Sequence, residues 1–389
     1  MIKRDAARTL NEFSKGYPIL AITGPRQSGK TTLARFVFKK KPYISLEEPD
    51  QRAFAIEDPR GFLARYPDGA VLDEAQRAPS LFSYLQTRVD RDGRRGLFVL
   101  TGSQQFGLLS NITQTLAGRV ALMHLLPFSY NELRNARQAP STVDELLFKG
   151  LYPPIYDRRL SPSGWYSNYV MTYIERDVRQ LVNVRDLAAF QRFICLCAAR
   201  TGQLLNLSSL ANDCGVTHNT AKSWISVLEA SYILFLLRPH HKNFNKRLVK
   251  TPKLYFFDTG LAAWLAGIQD MKQMSIHPLR GALFETYVIG ELLKNRFNRG
   301  LVSNLYFWRD NTGNEIDVLA ESAGRLIPVE IKSGQTVTRD YMTGLKKWLD
   351  IAGTTAGAPW LIYGGDEGQK RSGVEILPWR EVKQLAEKI

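Results

Sequence analysis

Three stretches carry residue types at spacings that could do chemistry. The first, "GPRQSGKT" from Gly24 to Thr31, fits G-x-x-x-x-G-K-[ST] without a mismatch. Such a loop turns where glycine permits, so its backbone N–H groups can wrap phosphate oxygens. Gly24, Pro25, Arg26, Gln27, Ser28 and Gly29 would form the cradle, with Thr31 and Thr32 opening the helix behind it. Lys30 can reach the β- and γ-phosphates, and the Thr31 hydroxyl can ligate Mg²⁺. In the second, "GAVLDEAQ", Asp73 can hold Mg²⁺ through water and Glu74 can orient an attacking water. The third pairs "NEIDVLA" with "IPVEIKSG". Ile327, Val329 and Ile331 alternate as in a half-buried strand, so Glu330 and Lys332 share its opposite face. Asp317 lies in the strand before. Buried acids are costly unless they bind something. Two carboxylates plus a carbonyl oxygen make an oxygen-rich Mg²⁺ site, and a lysine beside them can offset charge on an attacked phosphate. The alternative is a cross-strand ion pair in a scaffold.

Elements must hold these residues in place. Ile19–Thr23 reads as a short apolar strand entering the glycine loop, and "TTLARFVF" as the helix leaving it. A third strand, "GLFVLTGSQ", ends in small polar residues; Ser103 or Gln104 could sit between a γ-phosphate and the Asp73 strand, an ordinary turn residue being the other reading. With "KPYISLEEPD" and "VALMHLLPFS" as further strands, alternation with helices predicts a parallel three-layer α/β sheet. Near the C-terminus, strands on either side of a turn at Gly324 would bring Asp317 close to Glu330 and Lys332. "RGALFETYVIGELLKN" is expected as a helix with Glu285 at the margin of its apolar face.

Between these regions, "LSSLANDCGVTHNTAKSWISVLEASYILFLLRP" has helix-turn-helix spacing, with Gly215 where φ > 0 is needed and Thr217 as N-cap. Residues 218–229 would turn Ala221, Ile225 and Leu228 inward and Asn219, Lys222, Ser223 and Ser226 outward. Two strands around a basic connection complete a winged helix. Its wing cations Lys242, Lys246, Arg247, Lys250 and Lys253 are candidate contacts to DNA phosphates. An inter-domain packing role for the winged helix is the competing reading.

The composition agrees with a polyanion partner. The net charge is +15, and residues 151–260 carry 14 Lys and Arg against 7 Asp and Glu. No apolar run is long enough to span a bilayer, and the N-terminus lacks a signal-peptide core, so a cytoplasmic protein without membrane partners is expected. Cys195, Cys197 and Cys214 are not spaced for zinc or disulfides and are expected as buried thiols.

The order GPRQSGKT, VLDEAQ, TGSQ and "LAGRV" resembles AAA-type P-loop ATPases, in particular a prokaryotic group with a C-terminal domain of unknown function. The resemblance implies that Arg119 is an arginine finger acting across a subunit interface, hence a homo-oligomer, a ring or another closed assembly; a local salt bridge is the alternative. Asp317, Glu330 and Lys332 resemble the metal motif of the PD-(D/E)xK restriction-endonuclease-like fold, in which Glu285 matches a helix-borne acid. The expected organisation is an ATP-binding domain at 1–135, a helical and winged-helix domain at 136–260 and a nuclease-like α/β domain at 261–389. The expected activity is that of a Mg²⁺-dependent ATPase that binds DNA and remodels, translocates on or cleaves it. An ATP-driven switch, or a DNA-binding regulator with an inactive nuclease-like domain, is the rival.

Overall fold

The structure, a computed structural model, describes residues 1–102, 112, 115–178, 186–240 and 249–389, without the side chains of 175–178. Two compact units make up the chain: Met1–Phe128 with Phe297–Leu301, and Ser129–Arg296 with Val302–Ile389.

The first unit is built on five parallel strands: β1 (Ile19–Thr23), β2 (Tyr43–Ser45), β3 (Val71–Asp73), β4 (Phe98–Thr101) and β5 (Val120–His124), in the order β2-β3-β4-β1-β5. Successive side chains on a strand point to opposite faces, and β1 shows why this sheet needs two covers. Ile19 and Ala21 pack into one core with Phe62, Leu81, Phe82 and Leu85. Leu20 and Ile22 pack into the other with Ala6, Leu10, Leu33 and Ala34. All five β1 residues are buried, and the three-layer expectation holds.

The second unit holds a helical part and a six-stranded mixed sheet. Helices Leu187–Ala199, Leu207–Cys214 and His218–Ala230 precede a two-stranded antiparallel ladder of β6 (Leu234–Leu237) and β7 (Lys253–Phe256). Gly215 ends the second helix at φ 70°, and the Thr217 side chain caps the third by accepting from the Thr220 N–H. Ala221, Ile225 and Leu228 are buried while Asn219, Lys222, Ser223 and Ser226 are exposed, as the periodicity predicts. Of the cysteines, Cys197 and Cys214 are buried but Cys195 is exposed, contrary to expectation.

The sheet runs β12-β13-β11-β10-β9-β8, from β8 (Leu305–Arg309), β9 (Glu315–Ser322), β10 (Arg325–Lys332), β11 (Trp360–Tyr363), β12 (Gln369–Arg371) and β13 (Val374–Pro378). Helix Thr343–Ala352 covers one face, burying Leu345 and Trp348 against Ile316, Leu319 and Leu361. The hairpin β9–β10 turns on two residues, Ala323 at φ 48° and Gly324 at φ 76°. Positive φ at both central positions is the type I′ turn, whose twist suits a two-residue hairpin. The turn also fixes the register: Ser322 pairs with Arg325 and Val318 with Val329, so the next step sets Asp317 opposite Glu330.

The flanks of the β6–β7 connection run along β8. The Phe307 N–H donates to the Arg238 carbonyl (3.1 Å), the His240 N–H to the Phe307 carbonyl (2.8 Å) and the Val249 N–H to the Arg309 carbonyl (3.1 Å). Apart from Phe297–Leu301, the segments expected at 136–260 and 261–389 fall within one compact unit.

Candidate functional site

The glycine loop leaves the C-terminal end of β1 and enters helix Lys30–Val37. Gly24 has φ 145°, and a Cβ there would collide with the Leu125 carbonyl; Gly29 has φ 92°. Gln27, at φ 64°, is a non-glycine residue in the left-handed region, a strained conformation of the kind that collects at functional sites. Lys30 is buried, and its Nζ donates to the carbonyls of Gly24 (3.0 Å) and Pro25 (2.7 Å). Burial pulls the Lys30 ammonium down to about 8, with Glu74 and Asp73 opposing the shift. An anion at the loop would favour the charged form.

Asp73 closes β3 and gathers hydroxyls. Thr31 Oγ1 donates to Oδ1 (3.0 Å) and Oδ2 (3.1 Å), Tyr43 OH to Oδ2 (2.7 Å), and Thr101 to Oδ1. Glu74 follows at φ 52°, ψ 45°, another left-handed non-glycine, and accepts from the Gln76 amide. A hydroxyl and a carboxylate in contact beside a phosphate cradle suit an octahedral, partly hydrated Mg²⁺. Ser103 and Gln104 lie outside the described residues.

Sequence reasoning missed Arg4. It is buried; Nη1 donates to the Ser28 carbonyl (2.7 Å), Nη2 to the Leu126 carbonyl (2.6 Å), and the guanidinium lies 4.9 Å from the Phe128 ring centre. It ties the loop to the segment that follows β5.

Arg119 stands at the opposite end of the sheet. Its carbonyl accepts from the Ile19 N–H at the start of β1, whereas the loop leaves the far end of that strand, about 16 Å along five residues. Its guanidinium grips Asp90 with both arms, Nε to Oδ1 at 2.6 Å and Nη2 to Oδ2 at 2.9 Å. That is the local salt bridge of the alternative reading, and it holds the guanidinium away from the loop of its own chain.

In the second unit the hairpin register brings the expected acids together. Lys332 Nζ lies 2.5 Å from Glu330 Oε1 and 4.0 Å from Asp317 Oδ2, and the Ile331 N–H donates to Asp317 Oδ2 (2.8 Å). Glu330 Oε2 is buried with no hydrogen-bond partner among the described residues. Glu285, on helix Arg280–Asn298, accepts from Lys253 Nζ (3.1 Å) and from Tyr255 OH. Glu315 meets Lys253 Nζ at 2.5 Å and Arg309 Nη1 at 3.1 Å. Burial, reinforced by the Asp317 charge, pushes Glu285 up to about 7 and Glu330 up to about 8; burial raises Asp317 as well. Burial lowers Lys253 and Lys332, but the carboxylates around them outweigh it and hold both above the ordinary value.

Lys253 is a correction. It was expected on the wing surface facing DNA, yet it is 4% exposed and its charge is engaged by Glu285 and Glu315. The signal was present, since Lys253 and Tyr255 alternate on one face of an otherwise apolar strand, the pattern that marked Glu330 and Lys332. Glu285 is half-buried, as its expected place at the margin of the apolar face implies. Among the described residues, no three His, Cys, Asp or Glu side chains are grouped to hold a metal ion by themselves. At the glycine loop this agrees with coordination through a hydroxyl, water and phosphate. At the C-terminal cluster it does not fit a metal site, because lysines lie against the carboxylates. Lys222 and Lys250 are exposed; Lys242, Lys246 and Arg247 lie outside the described residues.

Residues 16–134 match the AAA domain, residues 140–272 a domain of unknown function (DUF8612), and residues 280–382 another (DUF4143). The uncharacterized protein Rv2008c of Mycobacterium tuberculosis is 33% identical over 338 residues, 86% of this chain and 74% of its own length. The chain belongs to the Rv2008c family. Its N-terminal part carries an AAA domain, which supports ATP binding and hydrolysis. Among solved structures, the Walker-type ATPase paby2304 of Pyrococcus abyssi is similar at 13% identity and a TM-score of 0.43, over 68% of this chain and 96% of that one. AMPPCP-bound DnaA of Aquifex aeolicus is similar at 15% identity and a TM-score of 0.30, over 58% and 85%. Among the described residues of this Rv2008c-family chain, no helix is long and apolar enough to cross a membrane.

Proposed function

We propose that the chain is a Mg²⁺-dependent ATPase whose nucleotide state controls its engagement of DNA. The observation that carries the reading is the hydroxyl–carboxylate contact between Thr31 and Asp73 beside the Lys30 loop. Thr31 and Asp73 would hold Mg²⁺, which would neutralise charge on the β- and γ-phosphate oxygens. Lys30 would exchange the Gly24 and Pro25 carbonyls for phosphate. Glu74, fixed at the strand end, would orient the water. The exposed Lys222 face of helix His218–Ala230, with Lys250 and the cations at 242, 246 and 247, supports contact with DNA phosphates.

ATP hydrolysis by the purified chain, measured with single-stranded, duplex and branched DNA, tests this. Stimulation by DNA is expected. Glu74→Gln should bind ATP yet lose about 10²–10⁴-fold in turnover, the usual contribution of a positioned base. Turnover indifferent to every DNA form would remove the DNA half of the proposal, and wild-type turnover by Glu74→Gln would remove the role of Glu74. A second reading, DNA cleavage at the C-terminal cluster, would require a metal to displace a lysine from the carboxylates; the convergence of Asp317, Glu330 and Lys332 is the observation in its favour.

A further inference from the structure

Lys253 belongs to the helical part of the second unit, yet its ammonium lies among the carboxylates of the six-stranded sheet. Its backbone is held on both sides. It pairs with Leu237 across the β6–β7 ladder and bridges to Leu204, while the Leu205 N–H donates to the Pro252 carbonyl (2.8 Å). The side chain is 5% exposed, with Nζ 2.5 Å from Glu315 and 3.1 Å from Glu285. Two residues on, Tyr255 donates to the same Glu285 oxygen that Lys253 contacts. Lys332 does the equivalent work at the other corner, between Glu330 and Asp317.

Counting charges shows what Lys253 contributes. Glu285, Glu315, Asp317 and Glu330 face Lys253, Lys332 and Arg309. Without Lys253, the four carboxylates, when all are ionised, would face two cations, a formal excess of two negative charges in a mostly buried site. Uncompensated buried charge is strongly unfavourable, and a single divalent cation would cancel it.

We propose that Lys253 is the resident cation of this cluster: supplied by the β-ladder of the helical part, it takes the place of a divalent metal and keeps the wild-type cluster metal-free. The inference rests on the carboxylate cluster that the cleavage reading uses, and it explains why those carboxylates do not form a ready metal site. It makes occupancy by metal a competition with one lysine.

The test uses the full chain without nucleotide and Mn²⁺ alone as probe. Binding is followed by the resonance signal of free Mn²⁺, and stability by thermal melting. Lys253→Met keeps the length and apolar stem of the side chain but removes the charge; Lys253→Arg keeps the charge. Lys253→Met is expected to bind one Mn²⁺ at least tenfold more tightly than wild type, and its melting temperature should rise on Mn²⁺ addition. Wild type and Lys253→Arg should show neither effect, and adding Asp317→Asn to Lys253→Met should abolish the gained site. The proposal is overturned if wild type binds Mn²⁺ as tightly as Lys253→Met. It is equally overturned if Lys253→Met, folded or not, gains nothing from Mn²⁺, or if the gained site survives Asp317→Asn. DNA cleavage measured alongside separates the two ideas. Mn²⁺ uptake by Lys253→Met without cleavage by any variant leaves the inference standing and ends the cleavage reading. Tight Mn²⁺ binding and cleavage by wild type do the reverse.

Discussion

Arg4 does at residue scale what no motif announces. Its two arms serve the carbonyls of Ser28 and Leu126, both in the buried interior of the first unit. Removing the guanidinium leaves these acceptors without that donor, and a buried unpaired group costs about 1–3 kcal/mol. Arg4→Ala should therefore lower the stability of the ATP-binding unit by about 3 kcal/mol and weaken ATP binding, read by urea unfolding and nucleotide titration. Arg4→Lys, which keeps the charge but not the planar fork, should recover only part of both. Unchanged unfolding in Arg4→Ala would mean that Arg4 is not what secures the loop. The loop itself was legible because all of its signal is local: two glycines, a lysine and a hydroxyl within eight positions, between a strand and a helix. Arg4 was not, because its partners lie 24 and 122 residues away. Lys253 was misread for a related reason: a lysine beside a basic segment looks like surface until the strand register turns it inward.

At the scale of elements, the hairpin β9–β10 decides whether the acids meet. A shift by one residue would send Glu330 and Lys332 to the other face. The turn that prevents it carries one imperfect residue. Ala323 sits at φ 48°, where a Cβ is disfavoured by about 1–2 kcal/mol, while Gly324 bears its φ of 76° freely. Asn tolerates this region and is favoured in type I′ turns. Ala323→Asn should stabilise the second unit by about 0.5–1 kcal/mol in chemical denaturation, without altering the cluster. A loss of stability would argue against the type I′ assignment. The turn at Gly324 and the strands beside it could be read from the sequence, as could the helix His218–Ala230, since alternation and helical periodicity are short-range patterns. The line taken by the wing flanks along β8 could not, because backbone pairing between distant segments leaves no mark in side-chain periodicity.

At the scale of the whole molecule, the arginine at residue 119 raises the question of assembly. It faces away from the phosphate loop of its own chain and is held by Asp90. If it acts in catalysis, it acts on a neighbouring copy after exchanging that carboxylate for a phosphate. Mixing Arg119→Ala with Lys30→Ala protein should then restore part of the ATPase activity that each lacks, because one contributes an intact loop and the other an intact finger. Arginine fingers contribute about 10³–10⁵ in rate, so even partial complementation would be measurable. No recovery in the mixture, or full turnover by Arg119→Ala alone, would leave Arg119 as a surface salt bridge.

The strand β8 carries a consequence of its own. An edge strand with free backbone groups is a template on which another chain can grow. Here Arg238, His240 and Val249 lend their own amides and a carbonyl to that edge. The opposite edge, β12, is three residues long, fully exposed, and carries Lys370 and Arg371. One border of the sheet is thus sealed by a neighbouring segment of the same polypeptide and the other is kept short and charged. Excising the segment between β6 and β7 to simplify the protein would unseal the first border, and the foreseeable failure is insolubility during expression rather than the loss of any one activity.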